Sequence, residues 1–225
     1  MSQAAKNPCT ATVLFDFDGV LFKGDAFAAF LRSHCKHQWW RVALASPLLL
    51  AAAPFVLMRR TRRRALTFLL HLALFGVSLP RYGRLVQNFG DALASDARRF
   101  SRAALDALNT HRHAGARVIV VTGCEETLAR AILDGLGLAE IELVASQFEA
   151  GRLGPRVKLH NIGFQKVHQL RLRGVRVPWD VAYGDSLADL DMLAGAREAV
   201  LVNPDRALIA KLSPRLRQRL AIVEW

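Results

Sequence analysis

The sequence contains few cysteines, and their spacing excludes a disulfide-stabilised scaffold. Among 225 residues there are three, Cys9, Cys35 and Cys124, and no two of them form a Cys-x-x-Cys pair. A scattered set of this kind does not build a disulfide framework. We therefore expect the protein to reside in a reducing compartment.

The start of the chain also lacks the features of a secretory signal. Residues 1–9 contain one lysine and no long apolar core, and the apolar run that follows is interrupted by Asp16 and Asp18. A cleaved signal needs an uninterrupted apolar segment of roughly 7–15 residues. We expect the chain to remain in the cytoplasm or on the cytoplasmic face of a membrane.

Acidic residues are outnumbered, with 19 Asp and Glu against 31 Lys and Arg and a formal net charge of +12. At the same time 52% of the residues are hydrophobic. Strong basicity predicts an acidic partner, which is nucleic acid, an anionic membrane surface or a phosphorylated substrate. The arginines flank apolar segments and no aromatic–basic RNA-binding motif is present, so we expect no nucleic-acid partner.

Internal repeats and low-complexity linkers are absent as well, and short apolar segments alternate with helical ones over much of the chain. The predicted strands are 12–16, 117–121, 180–183 and 200–202, and the predicted helices 95–114, 125–136, 161–173 and 186–194. Buried strands alternating with helices predict an α/β fold with a parallel sheet and helices on both faces. In such folds the functional site lies at the carboxyl ends of the strands.

Two carboxylates, Asp16 and Asp18, stand at the end of the first apolar segment. Alternate residues of a strand share one face, and Gly19 lets the backbone turn sharply, so both carboxylates can converge on one small volume. Burying such groups is costly unless a metal or a reaction uses them. The pattern predicts a site for phosphate and a divalent cation.

Three further motifs follow at strand ends or helix starts: Thr122-Gly123, Lys166 within a helix, and Gly184-Asp185-Ser186-Leu187-Ala188-Asp189. In this order, with the Asp16 motif, they resemble the haloacid dehalogenase-like (HAD) phosphohydrolases over essentially the whole chain. Residues 202–205 also resemble the subgroup that contains phosphoserine phosphatase. The resemblance implies a Rossmann-like core with an inserted cap that selects the substrate.

The resemblance also implies a role for each motif residue. Asp16 is expected to be the nucleophile that forms an aspartyl-phosphate, and Asp18 the general acid and then the general base. Mg²⁺ is the expected cofactor, bound by Asp16, Asp18 through its backbone carbonyl, and Asp185. Asp189 would be a further ligand or an anchor behind the first ligands.

Thr122 and Gly123 are expected to bind the phosphate, with Thr122 also at the N-terminus of the following helix. Lys166 is expected to balance the negative charge, although Lys158, eight residues earlier, remains an alternative for this role.

Residues 24–94 interrupt the alternation. They contain no strand candidate and two apolar runs, 42–58 and 65–79, separated by the arginine-rich segment 59–64. This pattern predicts a helical cap inserted between core segments 1–23 and 95–225. Residues 42–58 are apolar on every side, as in helices buried in protein or lipid, and Pro47 and Pro54 are expected to bend them.

Three arrangements of the cap remain open. The favoured one is a hairpin in the cytoplasmic leaflet, because two full crossings would put the arginines on the far side, against the positive-inside tendency. The second is such a double span. In the third, the apolar helices pack only on each other.

An apolar, arginine-rich cap on a phosphatase core indicates a phosphorylated lipid. The chain resembles the phosphatidylglycerophosphatase C family of bacterial HAD enzymes, at residues 25–27, 75–76, 145–147 and 163–167 as well as in its proline-broken run. This resemblance implies hydrolysis of phosphatidylglycerol phosphate at the bacterial inner membrane, with the core on the cytoplasmic side. The alternatives are a phosphatase for a small soluble phosphomonoester such as phosphoserine, and a catalytically silent membrane adaptor.

Overall fold

The structure is a computed structural model that describes residues 11–58 and 60–225. Within these residues the chain forms one seven-stranded sheet in the order β4-β3-β2-β1-β5-β6-β7. The strands are β1 (Thr12–Phe15), β2 (Arg117–Glu125), β3 (Glu142–Glu149), β4 (Arg156–Leu159), β5 (Trp179–Gly184), β6 (Ala196–Val202) and β7 (Leu220–Val223). All neighbouring strands are parallel except β3 and β4, which are antiparallel.

Two hydrophobic clusters cover the two faces of the sheet. Val13 and Phe15 of β1 point into one cluster, and Leu14 between them belongs to the other. Because strand side chains alternate, one short strand serves both layers. The predicted α/β fold with a mostly parallel, two-sided sheet is confirmed.

The helices flank the sheet or precede its second strand. They are α1 (Ala26–His37), α2 (Trp39–Leu57), α3 (Arg62–Ala73), α4 (Leu79–Ala94), α5 (Arg102–His113), α6 (Glu126–Gly135), α7 (Phe164–Leu172), α8 (Leu190–Ala194), α9 (Arg206–Lys211) and α10 (Pro214–Arg217). Helix α5 begins later than the predicted residue 95, because residues 97–99 form a separate 3₁₀ turn. The Ser101 hydroxyl then caps α5 by accepting a hydrogen bond from the Ala104 N–H at 3.3 Å.

The sequence pattern does not predict β3, β4 and β7. β3 carries polar residues along half its length, including Ser146 and Gln147, and therefore lacks a continuous apolar run. β4 and β7 are four-residue strands at the two edges of the sheet, and neither has a fully buried residue. Edge strands are short and partly solvated, so they carry a weak sequence signal.

Helices α1–α4 occupy the predicted insertion, and no strand forms among its described residues. Helix α2 packs against α3, while α4 packs against α6 of the sheet domain's helical layer. Helix α2 continues through Pro47 and Pro54, so these prolines do not divide it. In the described part of the chain, no helix combines the length and apolar character needed to cross a membrane. Residues 1–10, with Cys9, and Arg59 of the arginine segment lie outside the described residues.

Candidate active site

The central strand, β1, places the buried carboxylate of Asp16 at the carboxyl edge of the sheet. β1 lies between β2 and β5 and ends at Phe15, and the next backbone N–H, that of Asp16, donates to the carbonyl of Tyr183 at 2.9 Å. The pairing of β1 with β5 therefore fixes the position of the Asp16 backbone at the end of the strand. Its side chain is almost fully enclosed.

Lys166 on α7 reaches this carboxylate from the neighbouring layer. Its Nζ atom lies 2.7 Å from Oδ1 of Asp16 and 2.6 Å from Oδ1 of Asp189. The side chain is 1% exposed, so both ion pairs are shielded from water. Of the two candidate lysines, Lys166 contacts Asp16, whereas Lys158 is an exposed residue of β4.

The loop after β5 supplies two more carboxylates. Oδ2 of Asp189 accepts hydrogen bonds from the backbone N–H of Asp185 at 3.2 Å and of Ser186 at 3.1 Å, and from the Ser186 hydroxyl at 2.8 Å. With Lys166 on its other oxygen, Asp189 has both oxygens occupied. This favours Asp189 as the anchor of the loop rather than as a metal ligand.

Asp18 and Gly19 complete the turn after β1. Oδ1 of Asp18 accepts the Ala26 N–H at 2.8 Å, at the first residue of α1. Gly19 has a φ of +79°, and a Cβ atom there would lie 1.8 Å from Oδ2 of Asp185. The absence of a side chain at Gly19 is therefore what lets Asp185 approach the first motif.

Burial and crowding alter the acid–base properties of these groups. Burial, and secondly the nearby Asp189 carboxylate, hold the pKa of Asp16 well above its usual range. Burial raises the pKa of Asp18 to about 7 and that of Asp185 to about 6. For Lys166 burial alone would lower the pKa, but Asp16 and Asp189 outweigh it and raise the pKa, so this side chain stays protonated.

The acidic cluster fits a divalent cation. Asp16, Asp185 and Asp189 each offer a carboxylate oxygen, and these oxygens lie within 4.8 Å of one another. Among the described residues, the cation that faces these carboxylates and Asp18 is the ammonium of Lys166, which leaves an excess of negative charge. Carboxylate oxygens are the ligands that Mg²⁺ prefers. Since both oxygens of Asp189 already accept hydrogen bonds from Lys166 and from the loop after β5, Asp16 and Asp185 are best placed to hold the ion.

Thr122 and Gly123 lie in a strand rather than at a helix start, and Thr122 is fully buried and not part of the cavity lining. β2 continues to Glu125, and α6 begins at Glu126. The N-cap of α6 is Glu125, which accepts the N–H groups of Thr127 and Leu128, so the expectation that Thr122 stands at the helix N-terminus is wrong. The Thr122 hydroxyl accepts the Cys124 N–H at 2.9 Å. Gly123 and Cys124 line the site cavity.

Two buried polar residues, Ser146 and Asn161, form hydrogen bonds to the backbone of Thr122 and Gly123. The sequence pattern does not single out either of them as functional. The Ser146 hydroxyl donates to the carbonyl of Gly123 at 2.7 Å and accepts the Asn161 N–H at 2.9 Å. The Asn161 amide donates to the carbonyl oxygens of Thr122 at 3.1 Å and Val144 at 2.9 Å. Ser146 lies in segment 145–147, which carries part of the family resemblance. Nothing in the single sequence marks Asn161 as a residue of the site.

A third buried contact joins the insertion to the same segment. The hydroxyl of Tyr82 on α4 donates to Oε2 of Glu125 at 2.9 Å. Because Glu125 also caps α6, Tyr82 links helix α4 to the end of β2 next to Gly123.

Two adjoining cavities open at this edge of the sheet. The first, of about 590 Å³, is lined by the acidic cluster, Lys166 and the Gly123 segment. The second, of about 1060 Å³, lies between α1, α2, α3 and the segment 157–162. They share Asp25, Phe27, His160 and Ile162. The catalytic candidates therefore stand at one end of a larger, mainly apolar space.

Comparison with known proteins assigns a family to most of the chain. A family model described as haloacid dehalogenase-like hydrolase matches residues 13–194. A probable phosphatase of Mycobacterium tuberculosis is 31% identical over 116 residues, which are 50% of this chain and 40% of that protein. Protein CicA of Caulobacter vibrioides is 29% identical over 192 residues, 83% of each chain. The chain thus spans less than half the length of the mycobacterial relative.

Solved structures show the same fold at low sequence identity. A Bordetella pertussis Tohama I protein described as of unknown function has a TM-score of 0.72 at 19% identity, covering 95% of this chain and 98% of that one. A phosphoserine phosphatase in its apo form has a TM-score of 0.54 at 15% identity, covering 95% and 93%. At such identities the likeness concerns the fold alone.

Proposed function

The chain belongs to the haloacid dehalogenase-like hydrolases, and from that membership we propose that it hydrolyses a phosphate monoester through a phosphorylated Asp16. The proposal rests chiefly on Lys166, whose ammonium joins Asp16 and Asp189 in a buried cluster. That contact holds the Asp16 carboxylate in one orientation and offsets part of the charge that a phosphate would add.

Two displacements at phosphorus complete the reaction. A carboxylate oxygen of Asp16 attacks phosphorus, the bond to the leaving oxygen breaks, and Asp18 donates a proton to that oxygen. Water then attacks the phosphorus of the aspartyl-phosphate, Asp18 takes its proton, and inorganic phosphate and free Asp16 result. With a pKa of about 7, Asp18 is partly protonated near neutral pH and can act in both steps. Mg²⁺ held by Asp16 and Asp185 would supply charge neutralisation at the phosphate.

The chemistry is tested by Asp16→Asn, with Asp106→Asn on the exposed face of α5 as the matched control. Asp16→Asn is expected to lower Mg²⁺-dependent phosphate release by at least about a thousandfold and to prevent trapping of a phosphorylated protein. Asp106→Asn should behave as the wild type. Full activity of Asp16→Asn would refute the mechanism.

For the substrate, phosphatidylglycerol phosphate is the proposed lipid. The larger cavity supports this choice, because it is lined mainly by apolar side chains of α1, α2 and α3, such as Phe27, Leu49 and Leu70. It shares residues with the site cavity, so an acyl chain can occupy it while a phosphate contacts Asp16. A small polar phosphomonoester would leave this space unfilled.

The proposed location is the cytoplasmic surface of the bacterial inner membrane. Helices α2 and α3 expose many large apolar side chains, among them Leu44 at 75% and Leu57 at 85% exposure. Many exposed apolar side chains on two helices that pack together are typical of a membrane or protein contact site. Arg60 and Arg64, which are also exposed, would contact anionic headgroups.

The substrate proposal is tested with the full chain in detergent and Mg²⁺. Phosphate release from phosphatidylglycerol phosphate in mixed micelles is compared with release from phosphoserine. A kcat/KM at least about a hundredfold higher for the lipid is expected, a gain of about 2.7 kcal/mol. Equal or faster turnover of phosphoserine would favour the soluble-substrate alternative.

A further inference from the structure

Lys158 does not contact the acidic cluster and lies on the wall of the larger cavity. It is an exposed residue of β4, two positions before His160, which lines both cavities. Lys158 therefore stands close to the junction between the site and the apolar space. Its position differs from that of Lys166, whose ammonium is enclosed by two carboxylates.

A second cation lines the same cavity from helix α1. Arg32 on α1 is exposed and belongs to its lining. The carboxylate among the described lining residues is that of Asp25, and its Oδ1 accepts the Ala28 N–H at 2.7 Å as the N-cap of α1. The cavity thus combines apolar walls with a net positive charge.

A neighbouring residue on β4 shows how a cation is neutralised within the fold. Arg156 lies 2.9 Å from Glu149 across the antiparallel pair of β4 and β3. Lys158 forms no ion pair among the described residues and borders the cavity instead. Its charge is available to an anion that enters from outside the chain.

We propose that Lys158, assisted by Arg32, binds a second anionic group of the substrate, which lies between the reacting phosphate and the acyl chains. This inference rests on the proposed lipid phosphatase function and extends it to substrate selection. Lys158 and Arg32 line the larger cavity together with its apolar side chains, and this cavity adjoins the acidic cluster through shared lining residues. A lipid with a terminal phosphate monoester, an inner phosphodiester and acyl chains can place the monoester at the acidic cluster and the other two groups in this cavity.

The experiment compares two lipids that share the monoester and the acyl chains. Phosphatidylglycerol phosphate carries the inner phosphodiester, and phosphatidic acid does not. Lys158→Ala is expected to lower kcat/KM for phosphatidylglycerol phosphate about tenfold, mainly through KM, because a charge-assisted contact is lost. For phosphatidic acid the change should stay below about twofold. Lys158→Arg should restore most of the loss.

Lys211→Ala removes the same charge from exposed α9, away from both cavities, and should leave the ratio of the two lipids unchanged. An equal loss for both lipids, or no loss, in Lys158→Ala would overturn the inference while the lipid phosphatase function stands. If the wild-type protein hydrolyses neither lipid, that result refutes the proposed lipid phosphatase function. The second anion site, which rests on that function, is then refuted as well.

Discussion

Asp18 is a buried carboxylic acid whose side chain also accepts a backbone hydrogen bond at the start of α1. Burial raises its pKa from an unfolded value near 4 to about 7. Between these two pH values the folded chain holds a proton that the unfolded chain has lost. The contribution of this group to stability is therefore greatest below pH 4 and declines as the pH rises to 7.

The metal-free protein is expected to lose stability between pH 4 and pH 7, by an amount on the order of 1–4 kcal/mol from Asp18. Asp18→Asn keeps an oxygen for the Ala26 N–H and removes the titration, so it should flatten this dependence. Urea unfolding at several pH values measures the effect. Asp185, with a pKa raised to about 6, should leave a residual slope in the same direction. An unchanged slope in Asp18→Asn would contradict the burial argument.

Gly19 is the residue whose missing side chain brings two motifs together. Its φ is +79°, and an added Cβ would overlap Oδ2 of Asp185 at 1.8 Å. Gly19→Ala is expected to weaken Mg²⁺ binding and to lower activity at least about a hundredfold. Isothermal titration with Mg²⁺ and the phosphate-release assay measure these effects.

Gly115 provides the matched control, because its φ is +78° but an added Cβ would meet nothing within 4 Å. Gly115→Ala should cost about 1 kcal/mol of stability from backbone strain and leave Mg²⁺ binding unchanged. Similar activity losses in both variants would show that strain, and not the approach of Asp185, explains the effect.

The residues of the acidic cluster could be predicted from the sequence because each stands directly after an apolar strand or early in a helix. Asp16 and Asp185 fall at strand ends that the parallel sheet brings to one edge. The choice between Lys158 and Lys166 needed the structure, since both are compatible with the spacing. Asn161 could not be found either, because its role depends on carbonyl oxygens of β2 and β3 that only the fold brings within reach.

Helix α4 packs against α6 at positions where neither helix has room for a larger side chain. A Cβ added at Gly90 would lie 2.7 Å from Cβ of Ala131, and one added at Gly135 would lie 2.6 Å from Cβ of Ala94. The contacts are backbone and methyl groups that cannot move aside. Close approach here also sets the position of Tyr82, which contacts Glu125 beside the site.

Gly90→Ala is expected to lower the free energy of unfolding by about 1–3 kcal/mol, because the clash exceeds the gain in helix propensity. Gly83→Ala lies on the same helix with nothing within 4 Å and should be neutral or stabilising by up to about 1 kcal/mol. Urea unfolding of both variants tests the pair. Equal effects would show that α4 and α6 pack less closely than the structure indicates.

Among whole elements, the ones that could be predicted are those with a continuous apolar pattern. β1, β2, β5 and β6 are buried between neighbours, and each contains a run of three or four consecutive apolar residues. β4 lies at an edge of the sheet. Its sequence Arg-Val-Lys-Leu alternates polar and apolar residues, but four residues are too few to distinguish a strand from a loop. Its strand conformation depends on pairing with β3, which lies nearby only in the folded chain.

Viewed as a whole, the molecule has an unequal distribution of exposed apolar surface. Large apolar side chains are exposed on α2 and α3, whereas the helices beside the sheet bury most of theirs. If this surface contacts a membrane, removing apolar side chains from it should weaken binding to anionic vesicles more than removing exposed apolar side chains elsewhere.

The double variant Leu44→Ser/Leu57→Ser is expected to reduce co-sedimentation with phosphatidylglycerol-containing vesicles about tenfold or more. Leu172→Ser/Ile222→Ser removes exposed apolar side chains from α7 and β7 and should have little effect. Raising the salt concentration should weaken binding of every variant, because the arginine contribution is screened. Equal losses in the two double variants would argue against a membrane surface at α2.

The central position of β1 has a consequence for biosynthesis. Thr12 pairs with Arg117, so 105 residues, including α1–α4, must leave the ribosome before β1 gains its first partner strand. At roughly 5–20 residues per second, this takes about 5–20 seconds. During that interval the strand that precedes Asp16 is unpaired and the apolar helices are already outside the ribosome. Chaperones therefore have time to contact these exposed apolar helices before β1 pairs with β2 and the acidic cluster can assemble.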